Sequence, residues 1–334
     1  MSISTAARPA ASTVTVPPLQ PRPPDSLVRP FLRLGWRVVR AVLDRTAGRV
    51  FIWACSSHSR FVRTVVFDAA QRSAQQGLLL YTNGREQYVL NTRDDMICRS
   101  VFVHGEFDFT KLEEVMLLLR RRLGIERLDT IIDVGANIGT ICIPAVARGY
   151  ANDAIAIEPH PLNCRILRTN VALNGLHDRI KVFECACGAE RAGSVQLLRP
   201  GDNWGDVRVT TESETCAAPE NQRQTVGSRR VDDLVGAAPS GPTLLWIDTQ
   251  GFEAAVLQGA TGLIARRVPV VVEFDPAMLA RRAASLEALV AVLGTYASFV
   301  DLEQPARERP VADIPRLAGE MSAAGRVFTD LLVM

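Results

Sequence analysis

Lysine is almost missing from this chain. Of 38 basic side chains only Lys111 and Lys181 are lysines, and the rest are arginine. We read that bias as genome composition, not chemistry. Histidine is scarce as well: there are four, and none stands at zinc-site spacing from a cysteine. The seven cysteines (Cys55, Cys98, Cys142, Cys164, Cys185, Cys187 and Cys216) are odd in number and contain no CxxC pair. Cys142, Cys164 and Cys185 fall in apolar periodic segments, as reduced core thiols do, so the expected setting is the reducing cytoplasm. No uncharged apolar run reaches the ~18 residues of a membrane span. The stretch before residue 26 has no basic start followed by an apolar core, so no secretory signal is expected.

The rest of the composition is that of an ordinary globular protein, 47% apolar and 22% charged. A length of 334 residues allows one or two domains with a full core. The net charge of +2 hides an uneven distribution. Residues 1–65 carry ten arginines against Asp25 and Asp44, a net of +8, while 28 basic and 34 acidic side chains leave the remainder at −6. A basic front end is either a solvated leader or a surface that could meet an anionic membrane, an acidic partner or nucleic acid. No nucleic-acid partner is expected.

Three regions follow. Residues 1–30 hold Pro9, Pro17, Pro18, Pro21, Pro23, Pro24 and Pro30 and read as an extended or disordered leader. Residues 31–128 read as an N-terminal extension. In its 31–55 segment Leu34, Val38, Val39 and Val42 recur at helical spacing among arginines, which suits either peripheral membrane contact or cover for a neighbouring core. Short strands are expected at "GLLLYT" and "QYVLNT". A helix is expected over "DFTKLEEVMLLLRRRLG", capped by Asp108 or Thr110 and ended by Gly124.

From residue 129 to 334 strands and helices alternate, the signature of a parallel sheet covered on both faces. The expected strands are "TIIDV", "AIAIE", "RIKVFEC", "TLLWID" (243–248) and "VPVVVEF" (268–274). Helices are expected at 139–149, from Pro161 to Asn174-Gly175, at about 252–260 and near 277–293. Residues 189–228 read as a hairpin and a long loop. "YASFVDL" and "RVFTDLLVM", with no strong helix between them, suggest an antiparallel pair at one edge. No internal repeat is visible.

"IIDVGANIGT" (131–140) is a glycine-punctuated turn between the first strand and the first helix of this region, where an open α/β sheet binds ligands. A phosphate loop needs a Lys after its last glycine, and none follows Gly139. A dinucleotide fingerprint wants GxGxxG, but Asn137 puts a side chain at the middle position. What remains is D-x-G-x-x-x-G, with Asp133 below the loop. A carboxylate there repels pyrophosphate and suits a ligand with an ammonium and a sulfonium, such as S-adenosylmethionine. The second strand ends at Glu158, placed to accept ribose hydroxyls. The third ends at Glu184-Cys185-Ala186, beside the expected adenine edge.

The blocks "IIDVGANIGT", "AIAIEPHPLNCRILRTNVALNGL", "IDTQGFEAAVLQGA" and "VPVVVEFDP" resemble the FkbM family of S-adenosylmethionine-dependent methyltransferases, from about 129 to 275 and more loosely to 302. Gln250 stands where that family usually has Glu. The resemblance implies an α/β fold: a Rossmann-like class I methyltransferase, with a mostly parallel seven-stranded sheet, an antiparallel edge strand and an N-terminal extension. It also implies O-methylation of a hydroxyl on a sugar, glycolipid or natural product.

On this reading Asp133, Gly135, Ala136, Asn137 and Gly139 hold the methionine end, Glu158 the ribose, and Glu184 and Ala186 the adenine. Asp248, at the end of the fourth strand, is the first candidate for a general base; it is equally placed to cap the following helix. His160 and Glu273 are further candidates, and each also has a bland reading, as a solvated loop histidine and a strand end. Asn203 and Trp204 could wall the acceptor or simply pack. Asp248 with Gln250 offers one hard ligand, so no metal is expected. Two rival functions stay open: an NAD-dependent oxidoreductase, and a non-catalytic S-adenosylmethionine-binding scaffold.

Overall fold

The computed structural model describes residues 59–73, 77–199, 207–210, 219–236, 239–281 and 286–334. The leader 1–30, the basic 31–55 segment, Asn203 and Trp204 lie outside them. The described residues belong to one compact unit, Ser57–Met334.

A helix, Arg60–Ser73, precedes a hairpin of β1 (Leu78–Thr82) and β2 (Gln87–Asn91). Helices Ile97–His104 and Phe109–Leu123 follow. The main sheet starts at β3 (Leu128–Val134), β4 (Ala151–Ile157) and β5 (Ile180–Phe183). The chain then leaves it for β6 (Ala186–Cys187), β7 (Ala192–Leu198), β8 (Arg208–Val209) and β9 (Arg223–Arg229). It returns as β10 (Thr243–Ile247), β11 (Val270–Phe274), β12 (Ser298–Asp301), β13 (Glu308–Pro310) and β14 (Thr329–Val333).

The main sheet has the order β13-β12-β14-β11-β10-β3-β4-β5. The inner strands β3, β4, β10 and β11 are rich in β-branched and aliphatic residues, and β10 is buried throughout. That is what a parallel strand covered on both faces requires. Strands β5, β4, β3, β10 and β11 run parallel, and β14 is inserted antiparallel between β11 and β12. These seven strands are the expected mostly parallel sheet of a Rossmann-like methyltransferase fold. The three-residue β13 adds an eighth at the edge.

The structure corrects several local expectations. The expected antiparallel pair is there, β12 beside β14, with β13 as the antiparallel edge strand, but a helix, Ile314–Ala323, separates β12 from β14 in the chain. The middle region is a second sheet, β6-β9-β7-β8, not only a hairpin and loop. The helix expected at 139–149 is Cys142–Ala147, because Gly139 first closes a turn onto the Ala136 carbonyl at 2.8 Å. The expected 277–293 helix is two, Pro276–Arg281 and Leu286–Leu293. Asp108 adopts a left-handed φ of 58° and makes no side-chain cap; Glu106 Oε2 instead accepts the Phe109 N–H at 2.9 Å.

The extension is fastened to the main domain by polar groups. Asn170 and Asn174, on helix Pro161–Leu173 and at its end, take the backbone N–H groups of Val89 and Gln87 with their Oδ1 atoms. Glu86 is fully buried and receives Arg148 Nε and Nη2 at 2.7 and 2.9 Å. Burial pushes the Glu86 carboxyl up, but the bonds from Arg148 and Asn83 outweigh it and hold the acid below its ordinary range. The same guanidinium lies 3.8 Å from the centroid of the Phe109 ring. Removing one member of such a pair strands the other charge. Arg148→Ala is therefore expected to lower unfolding free energy by about 3 kcal/mol in urea titrations; a loss below about 1 kcal/mol would show that the extension is not anchored there.

Candidate functional site

The crevice opens at the carboxyl edge of the sheet, where β3, β4 and β10 end. Gly135, Asn137, Glu158, Asn163, Ala186 and Asp248 line it, joined by Ile97 from the extension and by Leu197, Val207, Val209 and Phe252.

The floor is the glycine turn. Gly135 has φ +90°, and a Cβ built there would lie 1.8 Å from the Asp248 carbonyl oxygen. Only a bare backbone lets the β3 and β10 loops approach this closely. The donors of the turn are spent inside the protein. Gly135 and Ala136 N–H both go to the Ile157 carbonyl, at 2.9 and 3.1 Å, and Asn137 N–H goes to Glu158 Oε2 at 2.9 Å. A turn with its N–H groups so engaged does not form an anion cradle. Asn137 Oδ1, by contrast, is buried without a hydrogen-bond partner, and an acceptor in that position needs a donor.

Glu158 is 4% exposed and also accepts the His160 N–H on Oε1 at 2.8 Å. Burial raises its carboxyl to about 7. Asp248 is half-buried, and burial raises it to about 6 despite a bond from Gln250. Glu273 rises well above the usual carboxylate range, from burial and then from the neighbouring Asp248 and Glu253 charges. Gln250 Nε2 donates to both acids, at 3.0 Å to Asp248 Oδ1 and at 3.1 and 3.3 Å to the two Glu273 oxygens. Asp330, in register with Glu273 across β14, is raised by burial to about 6, against the pull of Lys111 Nζ at 2.6 Å.

Other expected site residues land elsewhere. Asp133 is 2% exposed, does not line the crevice, and accepts the Cys142 N–H at 3.2 Å; burial raises it to about 7. Gly139 serves packing: a Cβ there would sit 2.6 to 2.9 Å from Ile143 and Leu167 side-chain atoms. Ala136 is buried away from the crevice lining. Glu184 is exposed and paired with Arg168 at 2.8 Å. His160 caps helix Pro161–Leu173, Nδ1 accepting from Asn163 N–H, and lines a neighbouring cavity with Arg165; burial lowers it to about 4, so it is neutral. Asp275 Oδ1 accepts the Ala277 and Met278 N–H groups at 2.9 Å and so caps the next helix.

Asp248 does not cap helix Glu253–Gln258. The loop N–H groups of Thr249 and Gly251 go to Glu253 Oε1 at 3.1 and 2.9 Å, which leaves the Asp248 carboxyl to Gln250. Sequence reasoning missed Lys111 and Asp330. The one available signal was the scarcity of lysine, which it assigned to composition.

The methyltransferase FkbM domain profile matches residues 133–301, half of the chain. The 2-O-methyltransferase NoeI of Sinorhizobium fredii is 24% identical over 185 residues, covering 52% of this chain and 74% of that protein. A crystal structure of methyltransferase FkbM from Methylobacillus flagellatus KT is 16% identical, with 82% of this chain and 59% of that chain covered and a TM-score of 0.38. TYW2 from M. jannaschii, solved in complex with AdoMet, is 12% identical, covering 78% of this chain and 85% of that one, with a TM-score of 0.34.

Carboxyls raised by burial bind protons that the unfolded chain has already released, so stability falls as pH rises from their unfolded values through about 7. The apo protein should melt at progressively lower temperature from about pH 5 to about pH 7.5. Asp133→Asn, which keeps an acceptor and never ionises, should remove roughly 2 kcal/mol of that fall. An unchanged slope would place the Asp133 carboxyl in its ordinary range.

Proposed function

This chain belongs to the FkbM methyltransferase family, and from that premise we propose that it O-methylates a hydroxyl on a sugar, glycolipid or natural product, with S-adenosylmethionine held in the crevice over Gly135. The observation that carries the reading is the crevice's chemistry. It combines a bare-backbone turn, an unpartnered acceptor at Asn137 Oδ1, and two acids, the buried Glu158 and the half-buried Asp248. That set fits a ligand with an ammonium, a sulfonium and ribose hydroxyls. It does not fit the pyrophosphate of NAD, since the turn's N–H groups are taken and the nearby charges are negative.

Asn137 Oδ1 would accept from the ammonium, Glu158 from the ribose hydroxyls, and Ala186 and Phe252 would flank the adenine. Bound there, the cofactor supplies an electrophilic methyl group. The acceptor hydroxyl must lose a proton, and Asp248 is the base positioned for it. The apolar walls Ile97, Leu197 and Val209 exclude water from the reacting oxygen. The oxygen acceptor is also suggested by the 2-O-methyltransferase name of one similar protein. The five described cysteines are buried free thiols, which suits the proposed cytoplasmic setting.

Calorimetry tests the cofactor. S-adenosylhomocysteine should bind and NADH should not; the opposite result would leave the oxidoreductase as the answer. Its affinity should rise as pH increases through about 6 to 7, because the ammonium prefers ionised acids. Gly135→Val should abolish binding. Asp248→Ala should bind S-adenosylhomocysteine but transfer no labelled methyl to acceptors in cell extracts; full-rate transfer would remove Asp248 as the base.

A further inference from the structure

Gln250 is a non-glycine residue at φ +54°, in the left-handed region that side chains avoid. From there its amide nitrogen reaches two carboxylates at once, Asp248 and Glu273. An amide nitrogen carries two N–H groups, one for each acid. The acids come from adjacent parallel strands, β10 and β11. Lys111 does not bond to either, since its ammonium is bound to Asp330 at 2.6 Å and Asp108 at 2.9 Å. The Asp248 charge raises the neighbouring Glu273 carboxyl after burial does, and the neutral Gln250 amide that bridges them brings no positive charge to offset that repulsion.

The surroundings are asymmetric. Glu273 faces Asp330 in register across β14, and Glu253 from the following helix adds a further negative charge. Asp248 lines the crevice, and the Lys111 charge favours its ionised form. Asp108 and Glu253 act on it in the opposite sense, and it interacts with the Asp133 and Glu158 charges.

We propose that Gln250 and Glu273 are positioning residues for Asp248: the Gln250 amide clamps the two acids together, Glu273 holds the one proton they share, and Asp248 is left as the anion that takes the acceptor's proton. The proposal rests on the methyltransferase reading for the identity of that acceptor. In the step, the acceptor O–H bond breaks and an Asp248 O–H bond forms. The pair passes from one proton to two and returns one to solvent.

The proton arrangement is testable on the full-length protein with neither cofactor nor acceptor, by infrared difference spectra at about pH 7.5. Wild type minus Glu273→Gln should contain the band of a protonated carboxyl. Wild type minus Asp248→Asn should contain that of an ionised carboxylate. Gln250→Met, and Gln250→Gly as a variant suited to the left-handed backbone, should raise the pH at which the Asp248 carboxylate titrates by about one unit, a tenfold change in its proton affinity. In methyl transfer, Gln250→Gly should move the acidic limb of the pH profile by the same amount. An ionised band lost in Glu273→Gln, or a midpoint unmoved in both Gln250 variants, overturns the proposal. Failure to bind S-adenosylhomocysteine, with the bands as expected, would instead overturn the functional reading and leave the proton pair standing.

Discussion

The crevice depends on one buried carboxylate. Glu158 ends β4 with one oxygen on the Asn137 N–H and the other on the His160 N–H. The first bond fixes the glycine turn after β3, and the second fixes the start of helix Pro161–Leu173. Two chain segments on neighbouring strands are thus tied to a single side chain that is 4% exposed. A charge so placed is costly unless hydrogen-bonded, and its two backbone donors reduce that cost without removing it, since the acid remains raised to about 7. A ligand that brings a hydroxyl or a positive charge to this carboxylate relieves what the protein leaves unrelieved. Stability of the empty site and affinity for the ligand are therefore opposed by construction.

The parts of this arrangement that follow from backbone periodicity were legible in the sequence. Strands β3, β4, β10 and β11 were readable because a strand buried on both faces must be a nearly continuous apolar run. Gly135, Glu158 and Asp248 were readable because the carboxyl ends of consecutive strands converge. Side-chain direction was not readable. Asp133 is one residue from the edge, yet its carboxyl turns inward to Cys142. Gly139 looks like a ligand glycine but is required by Ile143 and Leu167. Glu184 lies beyond the end of β5 and meets Arg168 at the surface. For Asp133 and Glu184 the position at a strand end does not fix the direction of the side chain, and for Gly139 a glycine required by packing reads the same as one required by a ligand.

The extension was the least legible region, because its contacts are long-range. Nothing local pairs Glu86 with Arg148, or Lys111 with Asp330, 219 positions away. Both pairings place segments before residue 129 against the main sheet domain. The first anchors the hairpin and the second reaches the acids at the sheet edge. Residues 78–123 therefore contribute structure and charge to the crevice region, with Ile97 in its wall.

The acids at this edge divide by the donors they use. Asp133, Glu158, Glu253 and Asp275 accept backbone N–H groups from the loops that follow their strands or precede their helices. Such donors are fixed by the fold and hold a carboxylate in one place. Asp248, Glu273 and Asp330 are instead bonded by side chains, through Gln250 and Lys111. A side-chain donor can be rotated, withdrawn or exchanged during a reaction, whereas a loop N–H cannot be removed without moving the loop. A carboxyl bonded in the second way can change protonation without a rearrangement of the backbone, and the acids of this chain bonded so gather around Asp248. The left-handed backbone at Gln250 has its physical reason there: it is the conformation in which one loop amide reaches the ends of two strands.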